Sequence, residues 1–445
     1  MNNTGRTKLA ELKTEAPDAF RATVVGRIMA LSQATFTLED QTERRTFHYS
    51  GEENGKGRLR VGDIVQVEVV FSSGCWRMEN FTVLAPCMLD GARLEHWLKL
   101  WNRHSDGKRR RLETRARAIK LIRNFFEHLG FLEVETPSLV KCAGMEPHLF
   151  GFESDWVGPD NSFTRHYHMP TSPEFHMKQL LMLGYEKIFQ LARSYRNREY
   201  SPTHQPEFIM LEWYRAYAPY EKLMDDMEHL AYFLQKEING SPVLKYHGCE
   251  IDLTPPWNRI SVKEIFQKKL NIDLSIVQNG ADLVQQASAA GYRYLNGDEN
   301  FEDAFFKLFL TEIELKLGWD KPCILYDYPF EMAALSRRKP GDKRFCERFE
   351  AYIAGIELAN AFGELNNARE QRKRFEEMAR EKKAIYGYEY APDPDFLEGL
   401  EFGMPPSSGI ALGVERLIML ILGEKSINEL IAFPHMSPLE EELED

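Results

Sequence analysis

A change of hydrophobic pattern near residue 90 constrains the fold of this chain more than any other feature. Before it, the segments 21–41, 61–70 and 77–84 are rich in Val, Thr and Phe, and apolar and polar residues tend to alternate, which is typical of short strands. After it, helix-like and strand-like patterns alternate as far as Pro434 without an internal repeat. This order predicts an all-β domain followed by a larger domain of mixed structure.

The first domain is expected to be a small closed β-barrel. Four or five short strands within about 70 residues suit the oligonucleotide-binding (OB) fold. The aromatic residues Phe36, Phe47, Tyr49 and Trp76 either fill the barrel core or form a stacking platform for bases, and core filling is favoured because every small barrel needs such side chains. Residues 1–90 hold 11 Lys or Arg against 12 Asp or Glu, which is a poor balance for a stand-alone nucleic-acid reader.

Composition and charge exclude several classes of protein. The 445 residues carry a formal net charge of -12, which argues against indiscriminate binding of nucleic acid. No run of about 18 apolar residues is present, and the polar N-terminus lacks the apolar core of a signal peptide. The six cysteines never form a C-x-x-C pair, so neither a zinc knuckle nor a disulfide framework is indicated. We therefore expect a cytoplasmic protein without a membrane segment.

The patterns also give expected domain boundaries. A helix is predicted over 114–129, ended by Gly130 and followed by a strand over 131–135. The expected order is an OB-like domain at 1–90, a linker that begins as a helix at 91–113, a catalytic domain at 114–436 and an acidic tail at 437–445.

A cation-rich hairpin is predicted between two apolar runs, 188–192 and 208–211. Its connection contains Arg193, Arg196, Arg198 and His204. Such a loop suits a polyphosphate because a planar guanidinium binds two phosphate oxygens at once, although a merely solvated loop is an equal alternative for this segment alone.

Carboxylates occur near two other segments. Glu174 follows Ser172 and Pro173, which are expected at the N-cap and first position of a helix, so it either favours the helix dipole or holds an ammonium group. Glu357 and Glu364 are seven residues apart, which on a strand puts them on opposite faces unless an irregularity such as 361–363 re-aims one. They lie on a solvated face or hold Mg²⁺, which prefers oxygen ligands.

Glycines and an arginine open the last apolar helix. Gly409 and Gly413 would let backbone approach a flat ligand, and Arg416 lies on the first helical turn. Together with the cationic hairpin and the carboxylates, they suggest an ATP site without a Walker or Rossmann motif.

The residues 130–137 (GFLEVETP), 204–208 (HQPEF, after Arg196) and 413–417 (GVERL) resemble motifs 1, 2 and 3 of the class II aminoacyl-tRNA synthetases. The resemblance covers about residues 117–434. It implies an α+β fold: an antiparallel sheet of six to seven strands flanked by helices, preceded here by the small barrel. Within the class, 171–174 (TSPE), 348–352 (RFEAY) and 355–360 (GIELAN) resemble the lysyl group.

Two kinds of enzyme in that group compete. Lysyl-tRNA synthetases charge tRNA and carry an N-terminal OB domain, whereas elongation factor P–lysine ligases attach lysine, preferably its β-isomer, to a lysine side chain of elongation factor P and normally lack that domain. The segments 210–215 (MLEWYR), 355–358 (GIEL) and 367–375 (NAREQRKRF) resemble the ligases. In 408–413 (SGIALG), Ala411 stands where synthetases have glycine, and such a methyl group alters pocket volume.

The resemblance implies roles for particular residues. Arg196 would bind the α-phosphate of ATP and Arg416 the γ-phosphate during adenylation, and Mg²⁺ would be held by Glu357 and Glu364. The ATP site would comprise Arg196, Asn197, Arg198, His204, Gln205, Glu357, Leu358, Gly413 and Arg416. The amino-acid pocket would comprise Ser172, Pro173, Glu174, Tyr214, Glu364 and Ala411.

The chain also departs from the ligase pattern. Arg198 stands where the ligases have a motif-2 glutamate, Gln205 replaces an asparagine, Ala361 a glycine and Glu415 an aspartate. The leading hypothesis is a ligase acting on elongation factor P. The alternatives are a lysyl-tRNA synthetase and, motivated by Arg198, a regulator that has lost catalysis. Because motif 1 builds a dimer interface in this class, a homodimer is expected.

Overall fold

The computed structural model describes residues 6–13, 16–49, 59–103, 106–387 and 391–435. They divide into two units, the first ending at Arg111 and the second beginning at Leu112. The predicted acidic tail at 437–445 lies outside the described residues, as does residue 436. The predicted boundaries of the barrel, linker and catalytic domain stay predictions.

The alternating segments of the first unit form a closed barrel in the order β1-β2-β3-β5-β4. Alternation accounts for it: Val65, Val67 and Val69 point into the core while the residues between them do not. Phe36, Phe47 and Trp76 are also buried there, so for these three the core-filling interpretation is right and the stacking platform is wrong. The strands are β1 (Arg21–Leu31), β2 (Thr35–Glu39), β3 (Arg44–His48), β4 (Ile64–Ser72) and β5 (Cys75–Ala85).

The helix predicted over 114–129 begins eight residues earlier than expected. It spans Asp106–His128, because the Lys and Arg of the basic run 108–111 are good helix formers. Gly130 ends it in the left-handed conformation, with φ 74°, as predicted.

The second unit is built on one eight-stranded sheet in the order β13-β14-β15-β16-β17-β10-β9-β6. Six to seven antiparallel strands were predicted; the two edge strands, β13 and β6, instead pair in parallel with their neighbours. β6 keeps only two residues, Leu132 and Glu133, of the strand predicted over 131–135. The strands are β6 (Leu132–Glu133), β7 (Glu153–Val157), β8 (Thr164–His168), β9 (Lys187–Tyr195), β10 (Glu207–Ala216), β11 (Val243–Tyr246), β12 (Cys249–Asp252), β13 (Asn258–Ser261), β14 (Cys323–Pro329), β15 (Phe345–Ile353), β16 (Ile356–Gly363) and β17 (Ser407–Gly413).

Helices pack on both faces of this sheet, and a cavity lies on one of them. A core of buried side chains joins the sheet to the helices α2, α4 and α10, and separate cores lie around α5 to α7 and around α3, α8 and α9. No helix among the described residues is long and apolar enough to cross a membrane. The helices are α1 (Gly91–Arg103), α2 (Asp106–His128), α3 (Glu174–Met182), α4 (Glu221–Asn239), α5 (Val262–Leu270), α6 (Gly280–Ala289), α7 (Phe301–Glu312), α8 (Ala368–Tyr386), α9 (Pro394–Phe402) and α10 (Val414–Leu422).

Candidate active site

A cavity of about 830 Å³ lies against the centre of the large sheet. Strand alternation selects the side chains that line it: Met210 and Glu212 of β10 face the cavity, while Leu211 and Trp213 are buried in the core behind the sheet. In β15 and β17, too, alternate side chains face the cavity and those between them are buried in the core. Of the predicted site residues, the cavity is lined by Ser172, Glu174, Arg196, His204, Gln205, Glu357, Ala411, Gly413 and Arg416.

A β-bulge brings Glu357 to the cavity. The register between β15 and β16 shifts because Ala351 pairs with Ala359 and Tyr352 with Glu357, which leaves Leu358 unpaired. Glu357 therefore joins the face that presents Asn360 and Phe362. The irregularity is at Leu358 rather than at the suggested 361–363, and the Leu358 side chain is buried in the core behind the sheet. The predicted place of Leu358 in the ATP site stays a prediction.

One end of the cavity carries arginines around a histidine. Arg416 donates to the backbone oxygens of Glu357 (2.8 Å) and Thr203 (3.2 Å), and its Nη2 lies 2.5 Å from Nε2 of His204. The Nε atom of Arg196 is buried without a hydrogen-bond partner among the residues that the structure describes. A buried, unpaired guanidinium donor is costly unless an acceptor arrives, so this end suits an anion.

The electrostatics keep His204 neutral. Burial and the nearby guanidinium groups of Arg416 and Arg196 lower the pKa of His204 to about 4. Since Arg416 donates to Nε2, the proton of the neutral ring is assigned to Nδ1, which lies 2.7 Å from the hydroxyl of Ser201. His204 can therefore fix the turn without adding a third positive charge.

This lowered pKa predicts acid sensitivity. An unfolded histidine binds a proton near pH 6.5 and the folded His204 only near pH 4, so the free energy of unfolding should fall as the pH decreases through that window. Urea unfolding of wild type and His204→Gln between pH 7 and pH 4.5 measures this, and the variant should lose part of the slope. His229→Gln, on an exposed face of α4, should retain it. Equal slopes for wild type and His204→Gln would refute the prediction.

Of the two predicted Mg²⁺ ligands, Glu357 lines the cavity and Glu364 does not. Burial and the neighbouring carboxylate of Glu350 raise the pKa of Glu357 to about 7 in spite of nearby arginines. A cation beside Glu357 would stabilise the charged form of its carboxylate, so Glu357 fits a Mg²⁺ ion held mainly by phosphate oxygens. The predicted partner Glu364 is instead 2.5 Å from Nζ of Lys178. Among the described residues no three His, Cys, Asp or Glu side chains form a group that could hold a metal ion.

The other end of the cavity is acidic. Lys178, fully buried, lies 2.5 Å from carboxylate oxygens of both Glu174 and Glu364, and these two glutamates raise its pKa above the ordinary value against the effect of burial. Glu212 accepts a hydrogen bond from Tyr214 at 2.9 Å. One buried lysine therefore stands among several buried carboxylates.

Close packing supports this acidic end from beneath. A Cβ atom on Gly409 would come within 2.2 Å of the Tyr214 ring and 2.5 Å of Oε1 of Glu364. Burial and the neighbouring Glu174 carboxylate raise the pKa of Glu212 well above its usual range and also raise that of Glu146. Such a pocket favours a ligand that brings positive charge.

Several site residues were missed in the sequence. Glu146 and Glu212 line the cavity, and Lys178 lies beneath it. Alternation along β10 could have assigned Glu212 to the same face as Met210 and Tyr214. Glu146 lies in an irregular loop and Lys178 in a helix, where a charged residue is normally exposed, so neither carried a signal.

Other predicted residues lie beside the cavity rather than on it. Pro173 occupies the N-cap position and α3 begins at Glu174, so the predicted cap at Ser172 is one residue early. Gln205 does line the cavity, but its side-chain amide is bonded to Asn428 and to the backbone of His435. The residues that do not line the cavity are Pro173, Asn197, Arg198, Tyr214, Leu358 and Glu364.

Two further residues that depart from the ligase pattern, Glu415 and Ala361, have structural roles. Glu415 accepts from Arg115 at 2.7 Å and from the backbone of Ile209 at 3.0 Å, which ties α10 to α2 and β10. Ala361 is buried in the core behind the sheet.

The family of the chain follows from comparison with known proteins. A family model described as tRNA synthetases class II (D, K and N) matches residues 94–437. The chain therefore belongs to the class II tRNA synthetase family.

Individual relatives bear two names. A lysine–tRNA ligase of Moorella thermoacetica is 38% identical over 328 residues, which cover 74% of this chain and 65% of that protein. A lysine–tRNA ligase of Pelotomaculum thermopropionicum is 32% identical over 443 residues, covering 94% of this chain and 86% of that one. An elongation factor P–(R)-β-lysine ligase of Klebsiella pneumoniae (strain 342) is 40% identical over 321 residues, covering 72% of this chain and 93% of that one. The match thus spans just under two thirds of the Moorella relative.

Proposed function

We propose that this chain activates lysine or β-lysine with ATP as an aminoacyl-adenylate and transfers the acyl group to a lysine side chain of elongation factor P. The observation that carries the activation step is that two kinds of charged cluster line one cavity. Arg196 and Arg416 lie near His204, and Glu174 and Glu212 lie near the buried Lys178. This arrangement suits a polyphosphate beside an amino acid with a second ammonium group.

The chemistry needs positioning and electrostatic stabilisation rather than an enzyme nucleophile. A carboxylate oxygen of the amino acid attacks the α-phosphorus, the bond from that phosphorus to the bridging oxygen breaks, and pyrophosphate leaves. Arg196 would bind the negative charge that develops on the α-phosphate, and Arg416 would bind the leaving group. Mg²⁺, which the family typically uses, would be held beside Glu357 and would neutralise phosphate charge. The acceptor amine then attacks the acyl carbon, an amide forms, and AMP leaves.

Two observations support elongation factor P as the acceptor. The match to the Klebsiella ligase covers nearly the whole of that protein. In addition, Ala411, which stands where the synthetases have glycine, lines the cavity. We place the reaction in the cytoplasm and expect the enzyme to act as a homodimer.

Charging of tRNA is the second candidate. The closed five-stranded barrel favours it, as does the match to the Pelotomaculum lysine–tRNA ligase over 94% of this chain. The acceptor assay separates the two: enzyme, ATP and labelled lysine or β-lysine are incubated with purified elongation factor P or with tRNA. Label in elongation factor P is expected, and label in tRNA alone would reject the leading proposal. If neither amino acid supports ATP–pyrophosphate exchange, the inactive-regulator alternative replaces both.

The methyl group of Ala411 gives a prediction about substrate choice. Ala411→Gly should shift the ratio of kcat/KM for lysine over β-lysine by roughly 10- to 200-fold toward lysine, because one methyl group in a pocket has effects of that size. ATP–pyrophosphate exchange with each amino acid measures the ratio. Ala361→Gly is the matched control, since that alanine is buried away from the cavity. An unchanged ratio in Ala411→Gly would show that the methyl group does not contact the substrate.

A further inference from the structure

Arg198 departs from the motif pattern and does not line the cavity. Its backbone is in the left-handed region, with φ 69°, and its exposed side chain turns away. The next residue, Glu199, lines the cavity instead and lies 4.0 Å from His204. The turn therefore accommodates Arg198 without losing a carboxylate at the cavity.

The guanidinium of Arg198 lies over the aromatic ring of Phe150. Its central carbon is 4.0 Å from the ring centroid, and Nζ of Lys382 lies 4.7 Å from the same centroid. The Phe150 backbone oxygen also accepts a hydrogen bond from Asn197 at 2.8 Å. Tyr386 packs edge-on against the ring, with centroids 4.9 Å apart. Phe150 therefore contacts both the motif-2 turn and α8.

The loop that ends at Phe150 forms a wall of the cavity. Residues 146–149 all line it. Lys382 donates to the backbone oxygens of Glu146 (3.1 Å) and Leu149 (2.5 Å), and His148 contacts the hydroxyl of Tyr386 at 2.9 Å. Within this loop, Glu146 also lines a second, small cavity together with Ser172 and Glu174, and burial and the Glu174 carboxylate raise the pKa of Glu146.

We propose that Arg198 is a positioning residue that, through Phe150, fixes the loop 146–149 and so places Glu146 at the amino-acid end of the cavity. The cation–π contact adds the side-chain link between the motif-2 turn and this loop, beside the backbone hydrogen bond of Asn197. The inference rests on the proposed function, because it assigns Glu146 to the binding of the amino acid rather than of ATP.

Amide hydrogen exchange of the full chain without substrates tests the positioning directly. In Arg198→Ala, peptides covering 146–150 should exchange about 2- to 5-fold faster, the effect expected of one exposed cation–π contact. Arg198→Lys should restore most of the protection. Arg193→Ala is the control, since its exposed arginine pairs with Glu207 and should leave 146–150 unchanged. Unchanged exchange of 146–150 in Arg198→Ala would overturn the proposal whatever reaction the enzyme catalyses.

Kinetics and a double variant test whether Arg198 acts on the amino-acid site through Phe150. In ATP–pyrophosphate exchange, Arg198→Ala should raise KM for the amino acid about 2- to 5-fold and leave kcat and KM for ATP unchanged. In a Phe150→Leu background the same replacement should add nothing. An equal rise in KM for ATP, no rise in KM for the amino acid, or a full additional effect without the ring would each overturn it. If wild type shows no exchange with either amino acid, the proposed function fails, while hydrogen exchange still decides the link between Arg198 and the loop.

Discussion

Replacing Arg196 with alanine is expected to lower kcat for ATP–pyrophosphate exchange about 100- to 1,000-fold. Arg196 lines the cavity, and its buried Nε has no hydrogen-bond partner in the described part of the chain. A fixed donor of this kind acts on charge that grows in the transition state, and its removal from a water-poor site has effects of that size. Arg196→Lys should recover only part of the rate, because an ammonium group cannot bind two phosphate oxygens in the planar manner of a guanidinium.

Arg193→Ala is the matched control for this prediction. Arg193 lies in β9, three residues before Arg196, and forms an exposed ion pair with Glu207. Its replacement should change kcat less than about 3-fold, since exposed ion pairs contribute little. Equal losses in the two variants would mean that general positive charge on the hairpin, rather than the Arg196 guanidinium, supports the reaction.

Sequence patterns were sufficient for the parts of the site that lie on regular elements. The apolar runs on both sides of Arg196 predicted the hairpin of β9 and β10, and Arg416 does lie on the first turn of α10. Regular alternation then carries Ala411 and Gly413 to the cavity. These are local consequences of strand and helix geometry, so one sequence contains the information.

The rest depends on irregular backbone and on contacts between distant segments. The bulge at Leu358 reverses the face that Glu357 uses, and no glycine or proline within 356–362 marks its position. The prediction that Glu357 and Glu364 hold Mg²⁺ together did not take Lys178 into account. Lys178 lies in a helix 186 positions earlier in the chain and forms an ion pair with Glu364. Arg198 was interpreted only as a departure from motif 2, because its contact, Phe150, lies outside the motif.

Lys178→Met is expected to cause the largest loss of stability of any single replacement considered. Methionine keeps the length of the side chain but removes the charge that lies 2.5 Å from both Glu174 and Glu364. Leaving buried carboxylates without a counter-charge costs about 3–5 kcal/mol, so the melting temperature at pH 7 should fall by several degrees or more. Lys316→Met is the control: its ion pair with Glu312 has the same spacing but is 3.5 Å long and largely exposed, so it should cost less than about 1 kcal/mol.

The pH dependence of this loss distinguishes an electrostatic cause from a packing defect. Burial already raises the pKa of Glu364 to about 7, and without the neighbouring Lys178, which lowers it, that pKa should rise further, so the folded variant gains stability when Glu364 takes up a proton. The folded variant then binds more protons than the unfolded one, and its deficit in melting temperature against wild type should shrink between pH 7 and pH 5. A second replacement, Glu364→Gln, should recover part of the loss at pH 7 for the same reason. A deficit that is independent of pH and unaffected by Glu364→Gln would show that Lys178 acts through its volume alone, and the acidic end of the cavity would then not depend on an internal cation.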